Sequence, residues 1–287
     1  MTARKPIVMG GIAALLGAGT LAALFPPLRD AGPIAREDAA GFDQARALFA
    51  SYLATGEAEA HLLRSAGFEA ADVPEAPGAT LLVEPEGDCA GRGTYWLREA
   101  GAPIALTAPH RGSDRHTGAL AAALFMETGA RGAGWNSAPR RASETCANAL
   151  DLAREEKHPF TAFASAFAAE HPHGLVVQLH GFDGDRRESL PASEAAMILS
   201  DGTSAPSDRL LDLADCLSLA FAPREVLVYP HQTGELGALT NAQGRLLRAE
   251  GFGGFVHLEI SADMREALVA DDALRDKLGE CLVGASA

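Results

Sequence analysis

The sequence lacks any sustained basic run. Lys and Arg gather only in short pairs such as Arg140–Arg141 and Arg186–Arg187, in a chain whose formal net charge is −14. Polyphosphate partners are therefore repelled overall, which excludes nucleic-acid binding as a main role and leaves solubility as the plain reading of the acidity. None of the four cysteines, Cys89, Cys146, Cys216 and Cys281, lies in a C-x-x-C pair. A thiolate metal site and a dithiol redox motif thus have little support. No G-x-S-x-G elbow occurs, which argues against a serine hydrolase. Internal repeats at solenoid periods and low-complexity tracts are missing as well.

What is present fits a globular chain. Hydrophobic residues make up 47% and charged residues 22%, so neither disorder nor a multi-span membrane protein is indicated. A length of 287 residues allows one large α/β domain or two small ones. After Arg4 and Lys5 an uncharged stretch runs from Ile7 to Phe25, the length of a secretion signal with its flank or of a minimal membrane tether. We expect residues 1–27 to be a signal peptide or N-terminal anchor, 28–37 a Pro- and Gly-containing linker, and 38–287 a single domain outside the cytoplasm, periplasmic or extracellular. In that compartment one or two disulfides are expected, and four cysteines allow three pairings.

Short apolar runs alternate with longer helical patterns, the signature of an α/β fold. Strands are expected at Thr80–Val83, Ile104–Ala108, Leu175–Leu179, Val226–Tyr229 and Phe255–Ile260. Helices are expected at Asp43–Ala54, Thr117–Glu127, Glu144–Arg154, Phe160–Ala169, Asp208–Phe221 and in a stretch from Ala262. In open α/β sheets the ligand sits beyond the carboxyl ends of the strands, so the chemistry is sought there.

Three segments carry it. The loop after Ile104–Ala108 reads Pro109-His110-Arg111-Gly112-Ser113-Asp114-Arg115-His116. His110 and Asp114 in that loop can turn toward one cation, and both donors suit zinc; the alternative is that Asp114 caps a helix while His110 packs. The apolar run Leu175–Leu179 delivers His180 at its end, where a hydrogen bond to a neighbouring carbonyl is the plain alternative. Glu259 closes the β-favouring run that begins at Phe255, and a buried carboxylate needs a partner or a task. A His257–Glu259 hydrogen bond would be the partner; activating water at a metal would be the task. Two nitrogens and one oxygen leave a fourth tetrahedral position open, the arrangement of a catalytic zinc site.

At Ala108-Pro109-His110 through Asp114, Gln178-Leu179-His180-Gly181 and Val256-His257-Leu258-Glu259-Ile260, the chain resembles the N-formylglutamate amidohydrolase and poly-γ-glutamate hydrolase group, itself similar to zinc carboxypeptidases. The resemblance implies a three-layer α/β fold of the zinc carboxypeptidase-like, phosphorylase/hydrolase-like kind, with a mixed, mainly parallel sheet flanked by helices. It also implies one Zn2+ ion held by His110, Asp114 and His180, Glu259 as general base, and hydrolysis of an amide bond beside a carboxylate in a small peptide or N-acyl amino acid. Carboxypeptidases proper place a glutamate where this chain has Ser113, so His116 stays open as a substitute for Asp114. Trp135 through Arg141 resembles the Asn/Arg region that holds a substrate carboxylate, which makes Asn136 and Arg140 substrate-binding candidates. The segment Leu236 to Arg245 reads either as a pocket wall or as an ordinary turn. A non-catalytic exported binding protein that keeps the fold is the competing expectation.

Overall fold

The computed structural model of the chain describes residues 39–85, 90–141 and 150–287. The expected signal or anchor, the linker, Cys89 and Cys146 lie outside the described residues. Among the described residues no helix is long and apolar enough to cross a membrane.

In chain order the elements are α1 (Ala39–Thr55), α2 (Ala60–Ala66), β1 (Glu69–Asp72), β2 (Ala79–Val83), β3 (Thr94–Arg98), β4 (Ala102–Ala108), α3 (Thr117–Thr128), β5 (Ala130–Trp135), α4 (Pro159–Glu170), β6 (Leu175–Phe182), α5 (Leu190–Glu194), β7 (Met197–Ser200), α6 (Asp208–Phe221), β8 (Val226–Val228), α7 (Ala242–Ala249), β9 (Phe255–Ser261), α8 (Ala262–Ala270) and α9 (Asp272–Ala285). The strands form one sheet in the order β1-β2-β3-β5-β4-β6-β9-β7-β8. Strands β5, β4, β6 and β9 run parallel in its centre, and antiparallel pairings flank them. This is the expected mixed, mainly parallel sheet.

Period-two alternation sorts the strand residues between two helical layers. Ile104, Leu106 and Ala108 of β4, Leu175, Val177 and Leu179 of β6, and Val256, Leu258 and Ile260 of β9 pack with α3, α6, α8 and α9. Ala105, Val176 and Phe255 pack on the other face with α1, α4 and α7. Continuing the alternation places Gln178 and His180 of β6, and His257 and Glu259 of β9, on that second face. From β4 the chain reaches β5 on one side through α3, and then β6 on the other side of β4 through α4. Such a reversal opens a crevice at the carboxyl ends of β4 and β6.

Two expected elements are corrected. Of the Glu144–Arg154 helix, residues 142–149 lie outside the described residues, Leu150 and Asp151 are not helical, and only Leu152–Arg154 makes a 3-10 turn. The run, with Ala147, Ala149 and Ala153, reads as helix, but Asp151 is drawn into ion pairs with His110 and Arg140. The stretch from Ala262 divides into α8 and α9 at Asp271, whose carboxylate accepts from the backbone N–H groups of Ala273 and Leu274 and so caps a new helix.

Candidate metal centre

Three side chains meet over the crevice. His110 is carried by the loop after β4, Asp114 lies one turn further along it, and His180 stands near the end of β6; all three are buried. The Oδ2 atom of Asp114 lies 3.4 Å from Nδ1 of His110 and 3.3 Å from Nδ1 of His180. It also accepts a hydrogen bond from the backbone N–H of Gly181 at 3.2 Å. His116 is only half-buried, and the group of mutually close metal-ligating atoms contains Asp114 in its place.

The remaining ring nitrogens are engaged elsewhere. His110 Nε2 lies 2.7 Å from Asp151 Oδ1. An ionised carboxylate only accepts, so Nε2 donates and the Nδ1 of a neutral His110 carries a lone pair toward Asp114. That Nδ1 is buried with no hydrogen-bond partner among the described residues. Burial works against a charged His110, but the Asp114 and Asp151 carboxylates outweigh it and raise its pKa. Burial likewise pushes Asp114 up, and the two imidazoles more than offset it, holding the carboxyl far below its usual range.

A divalent metal fits this donor set. Tetrahedral zinc with nitrogen and oxygen ligands at roughly 2.0–2.1 Å sets neighbouring ligand atoms about 3.3 Å apart, and the observed 3.3 and 3.4 Å separations match that edge. An imidazole lone pair facing a carboxylate oxygen is repulsive unless a proton or a metal cation lies between them. The carboxylate–histidine arrangement of Asp151 and His110 is the usual outer support of such a ligand.

Beside this cluster stands Glu259, paired in register with His180 across β6 and β9. Its Oε1 is 3.6 Å from His257 Nε2, beyond hydrogen-bond reach, and its Oε2 is buried with no partner among the described residues. The plain His257–Glu259 hydrogen bond is therefore not made. Burial and the nearby Asp114 carboxylate push the Glu259 carboxyl up to about 8. His257 joins His180 and Glu259 in a second close group of metal-ligating type; burial holds its pKa well below normal, and it stays neutral.

These residues open onto a cleft of about 860 Å³. Arg140, Arg141, Arg154, Arg186, Arg187 and Arg265 line it beside the carboxylates of Asp114, Asp151, Asp183 and Glu259, so arginines outnumber acids there in an acidic chain. Arg140 is bound through Nε and a terminal nitrogen to Asp151 Oδ2 at 3.2 and 2.9 Å. Asn136 does not line the cleft. Its Oδ1 accepts from the Arg111 N–H and its Nδ2 donates to the Ala138 carbonyl, so its polar atoms hold the His110 loop in place. Leu236 and Ala238, also lining the cleft, have positive φ values of 60° and 52°, strained backbone of the kind that gathers at functional sites.

Arg265 had no signal in the sequence. Buried, yet part of the cleft lining, it donates to the carbonyls of Arg115, Phe182 and Ile260. Those carbonyls adjoin Asp114, His180 and Glu259, so one guanidinium ties together the three segments that carry the site. Gly181 is required beneath it, because a Cβ there would collide with the guanidinium. Asp151 was equally hidden, inside an apparently helical run.

No family model and no curated protein matches the chain. Among solved structures it is similar to an N-formylglutamate amidohydrolase from Ralstonia eutropha JMP134, at 14% identity and a TM-score of 0.43, covering 68% of this chain and 96% of that one. It is also similar to a metallo-carboxypeptidase from Burkholderia cenocepacia, at 10% identity and a TM-score of 0.43, covering 74% of this chain and 65% of that one. The catalytic domain of an N-acetylmuramoyl-L-alanine amidase from Bacillus (Paenibacillus) polymyxa matches at 11% identity and a TM-score of 0.34, over 63% and 94% of the two chains. The chain thus spans just under two thirds of the carboxypeptidase structure's length.

Proposed function

We propose that this chain is a zinc-dependent hydrolase of amide bonds acting outside the cytoplasm. The observation that carries the reading is the convergence of His110, Asp114 and His180, with Asp114 Oδ2 lying 3.4 Å from His110 Nδ1 and 3.3 Å from His180 Nδ1, the edge length between ligands of a tetrahedral zinc ion. Zinc, when bound, polarises a substrate carbonyl and makes water acidic enough to attack it near neutral pH.

The chain's own groups do the rest. Glu259, buried at the cleft with an Oε2 that has no hydrogen-bond partner among the described residues, takes the proton of the attacking water and returns it to the leaving nitrogen. Burial keeps this carboxyl close to neutral pH in its affinity for protons, as a shuttle requires, and a cation in the neighbouring cluster would pull it back down. Arg140 and Arg187 both line the cleft, paired with Asp151 and Glu235 respectively, and a guanidinium that turns from its present partner can pair with a carboxylate beside the scissile bond. The substrates that fit are small peptides and N-acyl amino acids. A pure binding protein would have no use for a buried carboxylate that lacks a hydrogen-bond partner among the described residues beside the metal position, which disfavours that reading. The Cys216–Cys281 disulfide supports an oxidising compartment.

The test is metal analysis with hydrolysis of a panel of N-acyl amino acids and short peptides. The expected result is one zinc per chain. His180→Ala should lose both metal and turnover, whereas Glu259→Gln should keep the metal and lose at least about 100-fold in turnover. Full activity in both variants would show that the site is misassigned.

A further inference from the structure

A histidine can serve as a metal ligand through Nδ1 only when its proton sits on Nε2. For His110 a carboxylate enforces this. For His180 the partner is Gln178 Oε1 at 2.9 Å, and an amide can turn either its oxygen or its NH2 group toward a ring. In this molecule the choice is decided from two directions, each starting at a backbone group whose character cannot change.

On one side, the N–H of Gly244 donates to Asn241 Oδ1 at 2.9 Å. That fixes the oxygen of Asn241, so its Nδ2 is the atom that donates to Gln178 Oε1. On the other side, the Leu152 carbonyl accepts from Gln243 Nε2 at 2.8 Å. Thr161 sharpens this: its hydroxyl donates to the Glu155 carbonyl and accepts from the same Nε2. The oxygen of Gln243 must then face Gln178, and it accepts from Gln178 Nε2 at 3.0 Å. Both routes leave Gln178 presenting its oxygen to His180. Gln178, Gln243, Thr161 and Asn241 are all buried, so no bulk water competes.

We propose that Gln178, oriented by Asn241 and Gln243, is a positioning residue that holds the proton of His180 on Nε2 and so delivers its Nδ1 lone pair to the metal cluster. The inference gives a role to the Leu236–Arg245 segment, which supplies both anchors. Its consequence for metal affinity rests on the zinc reading above; its statement about the proton does not.

The test is a long-range proton–nitrogen NMR correlation on the 15N-labelled full chain, stripped of metal with a chelator and kept at alkaline pH, with His180→Gln to assign the ring. In the wild type, His180 should be protonated at Nε2 and bare at Nδ1. Gln178→Leu removes the acceptor and should move the proton toward Nδ1, with zinc affinity falling at least about tenfold. Gln178→Glu keeps an acceptor and should keep the wild-type proton position, an outcome that a merely space-filling role does not predict. A wild-type His180 protonated at Nδ1 overturns the proposal even if no variant folds. So does a folded Gln178→Leu with wild-type proton position and zinc affinity. If the wild type binds no zinc yet shows the Nε2 proton, the metal reading falls and the positioning of His180 stands.

Discussion

Single residues set the chemistry. Glu259 binds its proton more tightly in the folded metal-free chain, at about 8, than at its ordinary 4.5. Between those values the folded state holds more protons than the unfolded one, so stability falls as pH rises through that window. Denaturant unfolding of the metal-free chain from pH 5 to 9 should therefore show wild type losing ground to Glu259→Gln, with the difference levelling off above about 8. A flat difference would mean the carboxylate is solvated. Asp151→Asn keeps an oxygen near His110 but loses the charge, and zinc affinity in a competition assay should fall on the order of tenfold, as for other outer partners of metal ligands. Gly181→Ala would push its Cβ into a guanidinium already held by three carbonyls, and should cost about 1–3 kcal/mol in urea titration.

At the scale of elements, the strands that were legible are those whose own residues supply apolar faces: β4, β6 and β9 occur close to where the apolar runs ended. Helix α6 was legible too, and it buries Leu210, Leu213, Ala214, Leu217 and Phe221. Strand β5 was not. Its Ala-Arg-Gly-Ala-Gly-Trp sequence has weak strand character, and its glycines are explained by neighbours, since a Cβ on Gly132 would meet Phe163 and one on Gly134 would meet Tyr95. The sheet shapes β5 from outside. Helix α6 begins with Ser207, whose hydroxyl accepts from the Leu210 N–H. Ser207→Ala should lower stability by about 1 kcal/mol, a fall of roughly 2–4 °C in the melting temperature measured by circular dichroism.

For the whole molecule, the Cys216–Cys281 disulfide joins α6 to α9 across 65 residues, a span that includes the Glu259 strand. Restricting a loop of that length in the unfolded chain is worth about 4 kcal/mol in the entropic account. Replacing both cysteines by alanine should remove most of that in urea titration. Zinc affinity should not change, because both helices lie in the layer opposite the site. An altered affinity would mean the staple shapes the crevice as well.

The sequence by itself determined what depends on neighbours along the chain: an α/β alternation, a histidine at the end of an apolar strand, and a period-two pattern that sends Gln178 with His180, and His257 with Glu259, to one face. Only the tertiary structure decided that Asp114 rather than His116 meets the two imidazoles. It also decided that Asp151 supports His110, and that Arg265 ties the Arg115 carbonyl to those of β6 and β9 from 150 positions away. The physical reason is that a loop's path is set by what the rest of the fold packs and pairs against it, and no local spacing records those partners.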